Sequence, residues 1–313
     1  MKKIITIGEI LVEIMARDAG HGFRSAIPLL GPYPSGAPAI FIDQVAKLGQ
    51  PCGIVGAVGH DDFGALNIER LRSDGVDVSA IAVHPTAATG SAFVRYRPDG
   101  ERDFIFNIRH SASSAVALTP EAEAMIANAD HVHIMGSALS SDGIAAVIRS
   151  ATTSVRNRGG TVSFDPNIRK EMLDLPGMRA ALADMLAITD LFLPSGPELF
   201  LFTKATEEPA AIAELLAGGI GAVVVKRGAE GASYVDASGA IHAPAFAVDE
   251  IDPTGAGDSF GGAFVTCWLR RIEPRQALTI ANAAGARAVR VKGPMEGTST
   301  MAELEAFLRE HHR

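Results

Sequence analysis

The sequence has few cysteines, no long apolar run and no excess of basic residues, and each shortage excludes a class of protein. No stretch reaches the about 18 consecutive apolar residues that a membrane-spanning helix needs. The two cysteines, Cys52 and Cys267, lie far apart and outside any C-x-x-C pair, so neither a disulfide framework nor a zinc site is expected. Because 28 Lys and Arg stand against 36 Asp and Glu with no basic run, nucleic acid is not an expected partner.

The N-terminus also lacks the features of a cleaved leader. Met1-Lys2-Lys3 is followed by an apolar stretch, but Glu9 and Glu13 interrupt that stretch and no small-residue cleavage site follows. We therefore predict a first β-strand here and a cytoplasmic protein without a membrane partner.

Most of the chain alternates between short apolar runs and amphipathic stretches. The runs end in Gly, Ser or Asp and are typical of parallel strands buried on both faces: 4–8, 53–59, 132–136, 162–165, 191–195 and 222–228. Helix-start signals lie between them, such as Thr119-Pro120-Glu121 and the capping box from Thr300 to Glu303. We predict one α/β domain over residues 1–313, with a doubly wound, mostly parallel sheet flanked by helices and ligands beyond the carboxyl ends of its strands.

Two stretches depart from that alternation. Residues 10–31 and 90–108 are rich in β-forming residues, and Pro98-Asp99-Gly100 predicts a turn within the second. Both are predicted to form antiparallel ribbons. Because the two stretches are similar in character, we expect them to pair into one small β-sheet that stands off the main domain as a lid.

Residues 252–264, DPTGAGDSFGGAF, contain the most informative motif. Apolar residues recur at helical spacing from its end onward: Phe260, Ala263, Phe264, Cys267 and Trp268. Gly255 and Gly257 are therefore predicted at a helix N-terminus, where unpaired N–H groups and the helix dipole favour an anion. Asp258 falls in the first turn beside that anion, where a carboxylate can accept the proton of an attacking hydroxyl.

Each part of this motif also has a structural explanation, because a lone Asp in a first turn is usually a cap and a lone Gly-Ala-Gly is usually a tight turn. The combination is more specific. It resembles the second signature of the PfkB, or ribokinase, family of carbohydrate kinases at every defined position, and the resemblance extends over essentially the whole chain. It implies an ATP-dependent sugar kinase in which Asp258 is the catalytic base and the amides of Gly255, Ala256 and Gly257 hold the charge of the phosphoryl group.

The resemblance also implies a set of sugar contacts. Gly36-Ala37-Pro38-Ala39 is similar to the first family signature, with Ser35 in place of a glycine and Ile40 in place of an asparagine. Gly36 and Ala37 would approach the sugar, and Glu13, five residues after the Gly8-Glu9 opening that the family shares, would accept hydrogen bonds from its hydroxyls.

Residues 165–169, DPNIR, resemble the Asp-x-Asn-x-Arg stretch of fructokinase-like and 2-keto-3-deoxygluconate kinase-like members. Arg169 would contact the substrate or the transferred phosphoryl group, because a planar fork of donors suits phosphate oxygens. A surface arginine at the start of a helix is the alternative.

For ATP and Mg²⁺, the resemblance implies further contacts. Glu198 occupies the place of the Glu in the family's Asn-x-x-Glu motif and would organise Mg²⁺ through water, with Ser195 in place of the Asn. The nucleotide contacts would come from Ser195, Lys226, Gly228, Gly231, Gly255, Gly257 and Asn282. A hairpin turn alone also explains Gly228 and Gly231. Several family members bind a monovalent cation such as K⁺ near the Asp-Pro-Thr stretch and the later loop at 289–298.

The predicted acceptor is a neutral ketohexose such as fructose or tagatose. A carboxylate at Glu13 would repel an acidic substrate. In addition, residues 104–108, FIFNI, lack the Tyr-Tyr-Arg-Lys run that is typical of the acid-specific family members at this place. 2-Keto-3-deoxygluconate remains the alternative, because arginines are frequent in or near the second ribbon: Arg95, Arg97, Arg102 and Arg109. A nucleoside kinase and a non-catalytic sugar sensor are the further alternatives, and the lid is a candidate surface for a homodimer.

Overall fold

The computed structural model describes residues 1–20, 22–97, 102–168 and 173–311, so the predicted turn at 98–100 and Arg169 lie outside the described residues. The strands, in chain order, are β1 (Ile4–Ile7), β2 (Leu11–Ala16), β3 (Leu29–Ser35), β4 (Cys52–Gly59), β5 (Ile81–His84), β6 (Gly90–Tyr96), β7 (Arg102–Asn107), β8 (His131–Met135), β9 (Thr161–Asp165), β10 (Leu191–Phe192), β11 (Ala222–Lys226), β12 (Ala232–Asp236) and β13 (Gly239–Ala243). The α-helices are α1 (Ala37–Lys47), α2 (Asp62–Ser73), α3 (Pro120–Ala127), α4 (Asp142–Asn157), α5 (Met178–Leu186), α6 (Glu208–Ala217), α7 (Ala256–Leu269), α8 (Pro274–Ala288) and α9 (Met301–Glu310).

Nine strands form a large sheet in the order β13-β12-β11-β10-β9-β8-β1-β4-β5. The pairs from β5 to β11 are parallel, whereas β11, β12 and β13 pair in antiparallel fashion at one edge. All six predicted parallel strands are present, and the chain order reverses direction at β1, between β8 and β4. In sheets of this kind, ligands bind at the carboxyl ends of the strands near such a point.

Helices cover both faces of the large sheet. Ile4 packs with residues of α1, α7 and α8, whereas Ile5 and Ile7 of the same strand pack with residues of α3, α4, α5 and α6. The same alternation separates Val224 from Val223 on β11. A strand buried on both sides needs apolar residues at every position, which explains the continuous apolar runs of the sequence. The predicted fold class is therefore confirmed.

A second sheet of four strands has the order β3-β2-β6-β7. Each stretch predicted as a ribbon contributes an antiparallel pair, and the two pairs join through the parallel contact of β2 with β6, where Leu11 lies opposite Gly90. The predicted pairing of the two stretches is confirmed. The use of this small sheet as a lid stays a prediction.

Two further sequence features have structural counterparts. Thr300 and Glu303 form the predicted capping box at the start of α9. Cys52 and Cys267 are both free and buried, and burial raises the pKa of each thiol to about 12. Within the described ranges, no helix combines the length and the apolar character needed to cross a bilayer.

Candidate active site

Most of the predicted site residues line one cleft of about 1660 Å³. One wall is made by residues at the carboxyl ends of large-sheet strands, including Asp165, the last residue of β9, and Lys226, the last residue of β11. The opposite wall comes from the small sheet, including Glu13 and Ala92. The cleft therefore lies where the fold class predicts a ligand site.

Helix α7 begins at this cleft. Gly255 precedes its first residue with φ +79°, and a Cβ added there would lie 2.2 Å from the carbonyl oxygen of Pro294, so only glycine fits this position. An added Cβ on Gly257 would meet no protein atom within 4 Å, because Gly257 faces the open cleft. The backbone of Gly255 and Gly257 therefore borders the cleft with no side chain of its own in the way, which suits a phosphoryl group.

Asp258 lies in the first turn of α7 and lines the same cleft. Its charge is among those that raise the pKa of Lys226, which lines the same cleft. A carboxylate beside free helix amides and a cation can take a proton from a hydroxyl that is attacking a bound phosphoryl group.

The wall nearest the small sheet combines a glycine turn with buried carboxylates. Gly36 precedes α1 with φ +113°, and a Cβ there would lie 2.4 Å from the carbonyl oxygen of Glu9. Glu13 is buried and accepts a hydrogen bond from Ser35 Oγ at 3.3 Å, while Glu9 accepts one from Ser137 Oγ at 3.0 Å. Both carboxylates line the cleft, where they can accept hydrogen bonds from a polyol.

Lys226, the last residue of β11, forms an ion pair with Asp165, the last residue of β9. Strand β10 lies between these two strands in the large sheet. Burial opposes the charge of Lys226, but Asp165 and Glu198 outweigh that effect and raise the pKa of Lys226. The ammonium group is therefore a fixed positive charge among carboxylates in the cleft. This pairing joins residues 61 positions apart.

Glu198 uses both of its carboxylate oxygens to hold backbone. Oε1 accepts from the amide of Ile168 at 2.8 Å, and Oε2 accepts from the amide of Ser195 at 2.7 Å. Burial and the charge of Asp165 raise the pKa of Glu198. Glu198 thus orients the residues after β9 and β10 as well as facing the cleft.

Asn167 is a cleft residue for which the sequence predicted no individual role. It adopts φ +41°, and its amide donates to Asp165 Oδ1 at 3.2 Å. A non-glycine residue in this region of backbone space often marks a functional position. The signal in the sequence was an Asn after Asp-Pro, since Asn tolerates this conformation better than most residues.

Four predicted residues do not line the cleft. Asn282 is buried in α8, and its side-chain amide donates to the carbonyl oxygens of Ala243 and Pro244. Gly228 and Gly231 flank the turn from β11 to antiparallel β12, with φ of +55° and +92°, which agrees with the hairpin explanation. The half-buried Ala256 is the fourth. The nucleotide contacts of Gly228, Gly231 and Asn282 and the contact of the Ala256 amide with the phosphoryl group stay predictions.

Four arginines from the two ribbons and their flanks line the cleft: Arg24, Arg95, Arg102 and Arg109. Arg95 and Arg97 both pair with Asp103, and hydrogen bonding from Arg97 together with the charge of Arg95 lowers the pKa of Asp103. Asp103 therefore offsets part of the positive charge of Arg95 and Arg97 within the small sheet.

Asp165, Glu198 and Asp258 all line the cleft, where their carboxylates could orient the water ligands of a Mg²⁺ ion that is bound through phosphate oxygens. Among the described residues, no group of three or more His, Cys, Asp or Glu side chains could enclose a metal. An ion bound mainly through a nucleotide is consistent with both observations.

Comparison with known proteins gives the same picture over the full chain. The sequence profile described as pfkB family carbohydrate kinase matches residues 1–301. The chain is 33% identical to 2-dehydro-3-deoxygluconokinase of Thermoproteus tenax, covering 99% of this chain and 95% of the relative, and 30% identical to fructokinase of Escherichia coli, covering 97% and 98%. A crystal structure from E. coli, provisionally designated ribokinase II and bound to ATP and Mg²⁺, superposes with a TM-score of 0.94 at 50% identity, covering 99% of this chain and 100% of that one.

Proposed function

The chain belongs to the pfkB family of carbohydrate kinases, and from that premise we propose that this ATP-dependent sugar kinase phosphorylates a neutral ketohexose such as fructose or tagatose. The observation that supports the reaction is the position of Asp258 beside the open amides of Gly255 and Gly257, in a cleft shared with Glu13. The intact carboxylate and its glycines favour a catalyst over a non-catalytic sugar sensor.

In the proposed reaction, a sugar hydroxyl oxygen forms a bond to the γ-phosphorus of ATP while the bond from that phosphorus to the ADP oxygen breaks. Asp258 accepts the hydroxyl proton, and the amides of Gly255 and Gly257 stabilise the charge on the phosphoryl oxygens. Mg²⁺, when bound, supplies charge neutralisation at the phosphates. Glu198, together with Asp165, would hold it through water, and Lys226 adds a fixed positive charge nearby.

The acidic wall of the cleft favours a neutral acceptor. Glu9 and Glu13 both line the region beside Gly36, and each can accept hydrogen bonds from hydroxyl groups. A substrate carboxylate placed there would be repelled by two like charges. Asp103 offsets part of the opposing positive charge, because it pairs with both Arg95 and Arg97.

A sugar acid is the second candidate. Arg24 and Arg109 also line the cleft, and either could pair with a substrate carboxylate. The 33% identical relative that is named 2-dehydro-3-deoxygluconokinase supports the same candidate. We rank it below the ketohexose because the two glutamates lie on the same wall as the predicted sugar contacts.

A coupled ADP-release assay tests the proposal. We expect kcat/KM to be highest for fructose or tagatose among ketohexoses, 2-keto-3-deoxygluconate and a nucleoside such as adenosine. A preference of about tenfold or more for the sugar acid would overturn the choice of substrate and leave the kinase assignment intact. Absence of sugar-dependent ADP release with every acceptor would contradict the reaction itself.

Glu13→Gln adds a sharper comparison, with Glu69→Gln on exposed α2 as the matched control. Removing the Glu13 charge should lower kcat/KM for the ketohexose by about tenfold, because a hydrogen bond to a charged group typically contributes about 1.5–3 kcal/mol. The ratio of sugar acid to ketohexose activity should rise in Glu13→Gln alone.

A monovalent cation such as K⁺ stays part of the proposal. The two segments expected to bind it are in contact, since the amide of Gly293 donates to Asp252 Oδ2 at 3.0 Å. Replacing K⁺ by tetramethylammonium in the same assay shows whether activity depends on it.

A further inference from the structure

The ends of strands β6 and β7, at Tyr96 and Arg102, contact the turn that leads into α7. Tyr96 and Arg102 lie directly opposite each other on the two strands. The hydroxyl of Tyr96 donates to Asp252 Oδ1 at 2.6 Å, and Arg102 donates to Thr254 Oγ1 at 2.8 Å. Two cross-strand partners of the small sheet therefore form hydrogen bonds to Asp252 and Thr254, immediately before Gly255.

The carboxylate of Asp252 joins three segments. Asp252 is fully buried, and its Oδ1 also accepts from the amide of Thr254 at 3.0 Å, while Oδ2 accepts from the amide of Gly293 at 3.0 Å. Burial and the Asp252 carboxylate raise the pKa of Tyr96, so the phenol keeps its proton and acts as the donor at neutral pH. Loss of the Tyr96 hydroxyl would leave a buried carboxylate oxygen with one neutral donor fewer.

The backbone on the other side of the turn is fixed as well. Gly255 adopts φ +79° against the carbonyl oxygen of Pro294, and Gly257 follows in the first turn of α7. The direction of the Gly255 and Gly257 amides depends on the geometry of the segment from Asp252 to Gly255. That segment is held by Tyr96 and Arg102 on one side and by residues 293–294 on the other.

We propose that Tyr96 is a positioning residue for phosphoryl transfer, which acts by holding Asp252 and thereby the turn whose amides face the transferred group. The inference rests on the proposed kinase function. Tyr96 does not line the cleft, so its effect passes through the turn and not through contact with a substrate. The effect should fall on the chemical step, because the interaction with the phosphoryl oxygens is strongest in the transition state.

Tyr96→Phe tests the kinetic part, with Tyr234→Phe as the matched control. The hydroxyl of Tyr234 also donates to a carboxylate, Asp236 Oδ2 at 2.8 Å, but on β12, away from the cleft. We expect Tyr96→Phe to lower kcat by on the order of tenfold while KM for sugar and ATP stays within about twofold. Tyr234→Phe should match the wild type.

Hydrogen–deuterium exchange tests the structural part without any need for turnover. Amides in residues 250–258 should exchange faster in Tyr96→Phe than in the wild type or in Tyr234→Phe, with α8 unchanged as an internal reference. If Tyr96→Phe does not fold, Asp252→Asn provides the second variant, because it preserves shape and weakens the acceptor. Where both fold, the double variant should lose no more kcat than Asp252→Asn alone, because Tyr96 acts through Asp252, whose carboxylate also accepts from the amides of Thr254 and Gly293.

The two measurements separate the possible failures. A wild-type kcat in Tyr96→Phe, or unchanged exchange in residues 250–258, overturns the positioning role. If the wild type phosphorylates no acceptor, the proposed function has failed. Exchange and the affinity for the ATP analogue AMP-PNP with Mg²⁺ then still decide the role of Tyr96. Unchanged exchange, or AMP-PNP affinity that is more than about twofold weaker, refutes the proposed role, and faster exchange with AMP-PNP affinity within about twofold of the wild type supports it.

Discussion

At Asp258, a single carboxylate lies in the first turn of α7, beside two glycines and near Lys226. Asp258→Asn removes the proton acceptor and leaves the shape of the site. We expect kcat to fall by about 10²–10⁴-fold, which is the usual contribution of a general base, with AMP-PNP affinity retained. The coupled ADP-release assay and calorimetric binding of AMP-PNP measure the two quantities.

Asp249→Asn is the matched control for this change, because Asp249 is exposed and lies nine residues earlier, outside the cleft. It should keep wild-type turnover. A variant Asp258→Asn that retains more than half of the wild-type kcat on the true substrate would rule out the assignment of the base.

Residues of this site differ in how well the sequence predicts them, and the difference follows their spacing along the chain. Gly255, Gly257 and Asp258 are adjacent, so their joint pattern at a helix start is visible in the sequence. The hydrogen bond from Tyr96 to Asp252 spans 156 positions, and neither residue carries a local pattern that predicts it. The contact depends on how the two sheets are placed, which periodicity and turn residues do not determine.

At the scale of elements, the turn between β10 and α6 depends on Glu198, which accepts from the amides of Ser195 and Ile168. Glu198→Gln replaces one acceptor oxygen by a donor, so one of these contacts is lost and any metal-bound water is held less well. We expect the half-saturating Mg²⁺ concentration to rise by about tenfold at saturating sugar, while the sugar KM stays unchanged.

The control for this variant is Glu303→Gln, because Glu303 forms the capping box of α9 and accepts from the amide of Thr300 at 2.7 Å. Glu303→Gln also weakens a hydrogen bond between a glutamate carboxylate and a backbone amide, but at a helix start away from the cleft. It should not change the Mg²⁺ concentration that the enzyme requires. A change in the sugar KM only, with an unaltered Mg²⁺ titration, would show that Glu198 does not serve the metal.

Strand β8 carries a buried pair of histidines that should make stability depend on pH. His131 donates to or accepts from Thr161 and Ser163, and His133 contacts Ser163 at 2.7 Å and stacks on Phe41. Burial lowers the pKa of both histidines, that of His131 to about 3. The unfolded chain therefore binds protons below about pH 6.5 that the folded chain does not, so these residues reduce stability as pH falls.

When the pH is lowered from 6.5 to 4.5, we expect the free energy of unfolding to decrease more in the wild type than in His131→Asn. The difference between the two decreases should be up to about 1.4 kcal/mol per pH unit. Asp43, whose pKa burial raises to about 7, titrates in the opposite sense, so the difference between the two proteins is the measured quantity. Urea unfolding at each pH provides it, with exposed His60→Asn as the control. Parallel pH profiles for all three proteins would contradict the prediction.

The elements themselves were predicted unevenly. The six strands buried on both faces were predicted, because a continuous apolar run between turn residues is a strong local signal. The short edge strand β5 and the β12–β13 hairpin were not, because β5 has only four residues and the exposed positions of β13 are Gly239, Ala240 and His242. The order of the strands was also beyond the sequence, since pairing is settled by packing between elements that are distant along the chain.

At the scale of the whole molecule, the cleft lies between the large sheet and the small sheet, which are joined by short segments of the chain. β2 and β6 belong to the small sheet, yet each follows a strand of the large sheet, β1 and β5. Movement of the small sheet over a bound sugar would exclude water from the phosphoryl group. The hydrogen bonds from Tyr96 and Arg102 to the turn before α7 would connect such a movement to the amides of Gly255 and Gly257.

The outer strand of the small sheet also leads to a prediction about assembly. β7 ends the order β3-β2-β6-β7, and its Ile105 is 56% exposed, which is costly for a large apolar side chain on an edge strand. We predict a homodimer in which two small sheets cover each other. Light scattering coupled to gel filtration should give twice the chain mass for the wild type and the monomer mass for Ile105→Asp. Val83→Asp is the matched control, because Val83 is 50% exposed on β5, the edge of the large sheet, and this variant should remain dimeric. A monomeric wild type at micromolar concentration, or a dimer that survives Ile105→Asp, would show that the small sheet is not the interface.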